Sequence, residues 1–426
     1  MRVVFLIAGA GGMYCGSCLR DNRVAGTLIA KGRDVALVPL YTPIKTDEED
    51  VSQPRVYYGG VNVYLRQKSA LIRALPRWLT GVLDAPRLLR RAARSTGEMT
   101  PAEMGRLTVS ILKGEHGRQS EELGKLIRGL RPLEPDLVWL PNLMFVGLAG
   151  PLKAALGSSV LCTLSGEDYF LDHLPAPARG EAFDLIERQS RDADGFVAVT
   201  EYYAAHAAEH FGLPADRVHV IPMGVEVHDS AGTADPPDRP FTIGYLARVS
   251  PEKGLHDLAS AFVRLRRAER PCRLRVAGYL GPADRSYLTD IRTTLNDADL
   301  LSEFEYLGEV DRAAKREFLR SLHVLTVPAV HPEPKGLYVL EALAAGVPVV
   351  QPDRGSFPEL IEATGGGLLY DPSDEQALAD GIARLMDDPG LRRRLADQGR
   401  SVVCASFNSE IMAERTWQLC QQLALG

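Results

Sequence analysis

Cysteine is scarce in this chain, positive charge is not in excess, and long apolar runs are missing. Each absence excludes something. Six cysteines in 426 residues, scattered at positions 15, 18, 162, 272, 404 and 420, do not form a disulfide framework and suit a reducing compartment. A formal net charge of −6 supplies no general electrostatic reason to bind nucleic acid. No uninterrupted apolar run reaches the ~20 residues needed to span a bilayer. What remains is globular in character, since 45% hydrophobic and 24% charged residues argue against disorder. The length exceeds what one hydrophobic core supports. Two α/β domains in a cytoplasmic protein are the first expectation.

The opening MRVVFLIAGA mimics an export signal, with a cation, an apolar run and an Ala8-Gly9-Ala10 end. Its charged region and its apolar run are both short for export. It reads instead as the first strand of an α/β fold. Residues 3–7, 35–40, 137–140, 160–164 and 196–199 are short apolar runs, each followed by enough chain for a crossover helix. That alternation predicts buried parallel strands in a doubly wound sheet. Residues 227–240 then turn polar and rich in Pro and Asp, as a linker does. A second alternation runs through 241–246, 274–277, 324–327, 347–350 and 367–370. The expected organisation is a first Rossmann-like domain over 1–226, a linker over 227–240 and a second such domain over 241–404. A cleft between the two would take the ligand, at the carboxyl ends of the strands.

Three segments of the second half carry chemistry. In the first, a strand runs into a loop with Arg248 and Lys253, followed by a helix from Leu255. A guanidinium can hold phosphate oxygens in a bidentate fork, and a lysine adds a mobile point charge. Solvated surface cations are the plain alternative, but both lie where a strand ends and ligands are expected. The second segment reads His331-Pro332-Glu333-Pro334-Lys335-Gly336-Leu337-Tyr338-Val339-Leu340-Glu341 and continues apolar to Gly346. Pro334 suits a helix start, and Gly346 with Pro348 suits a helix stop. Gly336 lets a ligand approach the first turn, whose free amides form an anion site. Glu341 lies about 7.5 Å further along the helix at ~1.5 Å per residue, roughly the reach from a diphosphate to a ribose. Glu341 sits inside an apolar stretch and needs a hydrogen-bonding partner. The third segment holds Gly355-Ser356-Phe357-Pro358-Glu359, then Gly366-Gly367-Leu368-Leu369-Tyr370-Asp371-Pro372 and a helix over 377–386.

Together these segments resemble the family 4 retaining glycosyltransferases of the GT-B fold, strongly over 241–400 and more weakly across the first half. The resemblance implies two Rossmann-like domains facing each other across a cleft, and a last helix, over 405–426, that packs back on the first domain. It implies transfer of a sugar from a nucleotide diphosphate sugar to a hydroxyl acceptor, with retention of configuration. Arg248 and Lys253 would stabilise the leaving diphosphate, and Glu333 would bind the donor sugar. The amides of Gly336 and Leu337 would bind phosphate, and Glu341 the ribose. Such electrostatic stabilisation requires neither a metal nor a cofactor beyond the donor itself.

The first half is less explicit. Gly9-Ala10-Gly11-Gly12-Met13-Tyr14 follows the first strand, but the third glycine of a dinucleotide fingerprint is missing and the second strand ends without an acidic residue. A nicotinamide cofactor is therefore disfavoured. Gly11 and Gly12 are donor-side candidates by resemblance, or a tight turn before a helix. Cys15 and Cys18 lack a second Cys/His pair to complete a zinc site. In Thr163-Leu164-Ser165-Gly166-Glu167-Asp168, many family members carry a histidine where Ser165 stands. Glu167 and Asp168 are acceptor-side candidates, the alternative being carboxylates that cap the next helix. In the hinge loop Pro222-Met223-Gly224-Val225, Met223 replaces a common asparagine. Residues 71–96 hold six arginines against Asp84 alone, interleaved with Leu and Trp. That pattern fits peripheral contact with an anionic inner membrane face and a lipid acceptor, or a solvated helical face. Two other functions remain open: a sugar-nucleotide 2-epimerase, which shares the architecture, and a non-catalytic nucleotide-sugar binder.

Overall fold

In a computed structural model of the chain, residues 1–9, 16–42, 44, 46, 48–54, 56, 100–227 and 240–424 are described. Residues 228–239 of the predicted linker 227–240, the glycines Gly11 and Gly12, Cys15 and the arginine-rich 71–96 lie outside them. Cys18 is buried in the helix Gly16–Ala30. Among the described residues no helix is long and apolar enough to cross a membrane.

The chain divides into two compact units, Met1–Pro222 with Ser409–Gly426, and Met223–Asn408. In the first, β1 (Arg2–Ile7), β2 (Asp34–Pro39), β3 (Leu137–Leu140), β4 (Ser159–Thr163), β5 (Gly195–Ala198) and β6 (Val218–Val220) form one parallel sheet in the order β2-β1-β3-β4-β5-β6. The apolar runs alternate between its two faces because side chains alternate along a strand. Val4 and Leu6 enter one core with Val138, Leu140, Val160 and Phe196. Val3, Phe5 and Ile7 enter the other with Leu137, Trp139 and Leu161. Both faces are thus covered, as a parallel sheet requires. The final helix, Ser409–Ala424, supplies Met412, Ala413, Trp417 and Cys420 to the second of these cores, against Val24 and Leu28 of Gly16–Ala30. Lys31 pairs with Glu410 at 2.5 Å, and the Arg33 guanidinium lies 5.0 Å over the Trp417 ring.

The second unit holds β7 (Phe241–Leu246), β8 (Cys272–Ala277), β9 (Phe304–Tyr306), β10 (Val324–Leu325), β11 (Val349–Pro352) and β12 (Gly367–Tyr370), parallel in the order β12-β11-β10-β7-β8-β9. The chain winds outward from β7 in one direction and from β10 in the other. The connections from these two central neighbours therefore run in opposite directions along the sheet, the switch point at whose carboxyl ends such sheets take ligands. β11 begins two residues later than the pattern predicts, because Pro348 has no N–H to give; its carbonyl instead accepts from Leu325 N at 3.0 Å.

Candidate active site

The crevice at β7 and β10 is where the sequence placed its chemistry. β7 is buried along its whole length. From its end the chain passes Arg248 and Ser250, makes a tight turn at Pro251–Lys253, and enters the helix Leu255–Arg267. Gly254 makes that turn at φ +71°, and a Cβ there would lie 1.8 Å from the carbonyl oxygen of Pro328. The loops after β7 and β10 touch at this point, and Val330 N donates to the Glu252 carbonyl at 3.0 Å.

The loop after β10 leads through Glu333 to the helix Leu337–Ala344. Gly336 precedes its first turn at φ +63°, with the Leu360 side chain 2.4 Å from where a Cβ would stand. A Cβ there would have to displace the Leu360 side chain, and the positive φ itself favours glycine. The fully buried Ser356 hydroxyl lies 3.5 Å from the same point and has no hydrogen-bond partner among the described residues.

Glu333 is the centre of the arrangement. One carboxylate oxygen accepts from Lys253 Nζ at 2.6 Å and from the Tyr338 hydroxyl at 3.0 Å. The other faces the amides of Lys335 and Gly336 at 3.3 and 3.4 Å. Burial acts to raise its pKa, but the Lys253 charge and hydrogen bond, the Lys335 charge and the Tyr338 hydroxyl overcome it. The carboxyl is held down to about 2. A carboxylate here already takes the direction a helix start offers to an anion.

Arg248 is turned differently. Its guanidinium, half-exposed, bonds to Glu252 and to Ser250 Oγ at 3.3 Å rather than to Glu333. Burial would raise the Glu252 carboxyl, but a backbone hydrogen bond, Arg248 and Ser250 keep it below the ordinary range. Glu341 sits one turn along its helix, and the partner its apolar surroundings demand is Lys315, at 2.9 Å from the helix Arg312–Arg320.

In the first unit Glu167 and Asp168 are both buried, at the end of the loop leaving β4. Glu167 makes no capping bond to the following helix. It accepts instead from Leu143 N at 3.2 Å, Ser165 N at 2.8 Å, Ser165 Oγ at 2.9 Å and the Tyr203 hydroxyl at 3.2 Å. The Tyr203 hydroxyl is also 2.9 Å from Asp168 Oδ1, and the other oxygen of Asp168 lies 3.4 Å from His206 Nε2.

Sequence reasoning missed Tyr338, Lys315, Tyr203 and His206. Tyr338 alone left a signal, a hydroxyl in the first turn after a buried acid. Lys315 and His206 come from helices with no motif of their own, and only packing brings them in.

Two family models match this chain in succession: Glycosyltransferase Family 4 over residues 58–229 and Glycosyl transferases group 1 over residues 232–402. The chain belongs to the family 4-like GT-B glycosyltransferases. Among curated members, glycogen synthase from Mycobacterium tuberculosis is 27% identical over 230 residues, 54% of either chain, so the match spans about half that relative's length. The GDP-mannose-dependent monoacylated alpha-(1-6)-phosphatidylinositol monomannoside mannosyltransferase of Corynebacterium glutamicum is 25% identical over 311 residues, 68% of this chain and 78% of that one. Solved structures share the two-domain fold of this glycosyltransferase family. Sucrose-phosphate synthase from Thermosynechococcus elongatus superposes with a TM-score of 0.70 at 18% identity, covering 99% of both chains. The Anabaena protein HepE, solved in complex with UDP, gives 0.69 at 17% identity, covering 99% of this chain and 100% of its own.

Proposed function

We propose that this chain moves a hexose from a nucleoside diphosphate sugar to a hydroxyl acceptor, with retention of anomeric configuration. One observation carries the reading. Lys253, Glu333 and the start of the helix Leu337–Ala344 converge at the crevice of the second sheet, where an ammonium and helix-start amides already hold one anion, the Glu333 carboxylate. A diphosphate entering there competes with the Glu333 carboxylate for Lys253 and for the Gly336 amide, and the Leu337 amide adds to its hold. Displaced from them, Glu333 is a ready acceptor for the hydroxyls of the donor sugar. Glu341, set back along the helix, is within reach of the ribose. Lys253, and Arg248 once it leaves Glu252, neutralise the charge that builds on the departing diphosphate. UDP-glucose, bound in a HepE structure, and the GDP-mannose of the Corynebacterium enzyme both fall in this donor class.

On the acceptor side the geometry divides the two candidates. Glu167 has its oxygens taken up by Ser165 of its own loop and by Leu143 N and the Tyr203 hydroxyl from neighbouring segments, so it ties that loop in place. Asp168, paired with a partly exposed His206, is the better candidate to orient an acceptor hydroxyl.

The test is incubation of the full chain with a panel of nucleotide sugars, with and without saccharide and lipid acceptors. Nucleoside diphosphate released only when an acceptor is present, with the product anomer matching the donor by NMR, supports the proposal. An epimerised sugar, or binding without turnover, sinks it in favour of an isomerase or a sensor.

A further inference from the structure

A depression in the first unit gathers cations. Its volume is about 450 Å³, and it lies between the helix Pro101–Leu112, the turn that follows, and the beginning of the helix Ala176–Gln189. Arg106, Lys113 and Arg118 line it beside a single carboxylate, Glu181. Lys113 is paired with Glu181 at 2.6 Å. Arg106 and Arg118 have no carboxylate partner among the described residues. The depression is therefore net positive, on a chain whose formal charge is −6.

Its walls are set by packing. Ser110 and Gln119 are buried, the Ser110 hydroxyl donates to Gln119 Oε1 at 2.6 Å, and Arg118 N donates back to Ser110 Oγ at 2.8 Å. These bonds fix the backbone that carries Arg118, which lines the depression together with Arg106. Val109 and Pro177 line the depression as well, so it offers apolar contact together with its cations. Two planar guanidiniums match the oxygens of a phosphate in bidentate fashion, and the apolar lining suits the carbon body that carries it. The volume falls within the roughly 300–1,000 Å³ of small-molecule sites. Pro175, at its edge, stands three residues beyond Asp172 on the stretch of chain that carries Glu167 and Asp168 out of β4.

We propose that this depression binds a phosphate ester and serves as the subsite for a phosphorylated acceptor. The acceptor role rests on the transferase reading above; phosphate binding does not. Both arginines are exposed, so their removal leaves the fold intact.

The experiment titrates the full chain with inorganic phosphate at low salt by calorimetry, with and without Arg106→Ala and Arg118→Ala, so that any phosphate held at the donor site is common to all the variants. The same protein is spun with vesicles of phosphatidylglycerol or of phosphatidylcholine. Saturable phosphate binding is expected, weakened about tenfold by Arg106→Ala or Arg118→Ala, the loss of one charge-assisted hydrogen bond. Arginine-dependent capture of phosphatidylglycerol vesicles, without binding of free phosphate, identifies a lipid headgroup as the source of the phosphate. Arginine-dependent binding of free phosphate alone identifies a soluble ester. If neither probe binds, or both bind the double arginine variant as well as its parent, the proposal is overturned. A wild-type protein that binds phosphate in this way yet turns over no nucleotide sugar overturns the transferase reading and leaves the site standing.

Discussion

Two buried glutamates, one in each unit, stand at the carboxyl end of a parallel sheet, and their surroundings treat them in opposite ways. Glu333 is met by an ammonium, a phenol and two amides at a helix start. Among the described residues Glu167 is met by neutral donors, two of them on Ser165. A carboxylate held by a cation at a helix start occupies ground that another anion can claim. One held by neutral donors from its own loop and a neighbouring helix shapes that loop. The contrast separates a ligand site from a clamp, although both residues are equally buried acids.

Lys253→Ala breaks the contrast hardest. Removing the cation from the leaving-group position is expected to lower turnover by about 10²–10³-fold, with a smaller change in nucleotide affinity; steady-state kinetics and equilibrium binding distinguish the two. Unchanged kinetics in the folded variant would remove the site assignment. Next in size, Tyr203→Phe strips the hydroxyl shared by Glu167 and Asp168. It should cost about 1–3 kcal/mol of stability in urea unfolding while turnover per folded molecule falls far less than for Lys253→Ala. Turnover that collapses with stability unchanged would make Glu167 part of the chemistry.

Glu341→Ala tests the far end of the donor helix. One lost hydrogen bond to a charged group weakens nucleoside diphosphate sugar binding by about tenfold, measured by calorimetry, with turnover at saturating donor nearly preserved. Tyr338→Phe leaves Glu333 on Lys253 but removes one hydrogen bond to a charged group, expected to cost about 1.5–3 kcal/mol in urea unfolding.

Acid sharpens the same comparison. The folded Glu333 carboxyl lies at about 2 against an ordinary 4.5, so its contribution to stability is fully present above pH 4.5 and is lost as the pH falls toward 2. The stability difference between wild type and Glu333→Gln should shrink across that window in urea titrations. A difference that stays constant from pH 6 to pH 3 would contradict the Lys253 pairing.

The second unit was the more legible of the two. Gly254 and Gly336 both take a positive φ that favours glycine, and at Gly254 the Pro328 carbonyl also excludes a Cβ. Glu341 advertised a partner by being charged inside an apolar helix, but nothing along the chain pointed to Lys315, which precedes it by 26 residues and reaches it only through helix packing. In the first unit Ser165, Glu167 and Asp168 were visible as polar residues after a strand. Their division of labour depends on Tyr203 and His206, which a helix following β5 delivers. Arg248 was legible as a cation at a strand end, whereas its attachment to Glu252 is a matter of rotamers and neighbours.

Local chemistry in the chain was enough to settle the strand and helix alternation, the parallel sheets and the positions of the glycines, because apolar periodicity and backbone sterics act over a few residues. Tertiary structure alone decided which groups share an atom: that Lys253 and Tyr338 meet on one oxygen of Glu333, and that Arg106 and Arg118 line one depression. Hydrogen bonds and charge act through space at a few ångströms, and spacing along the chain does not encode that distance once two helices or loops have packed.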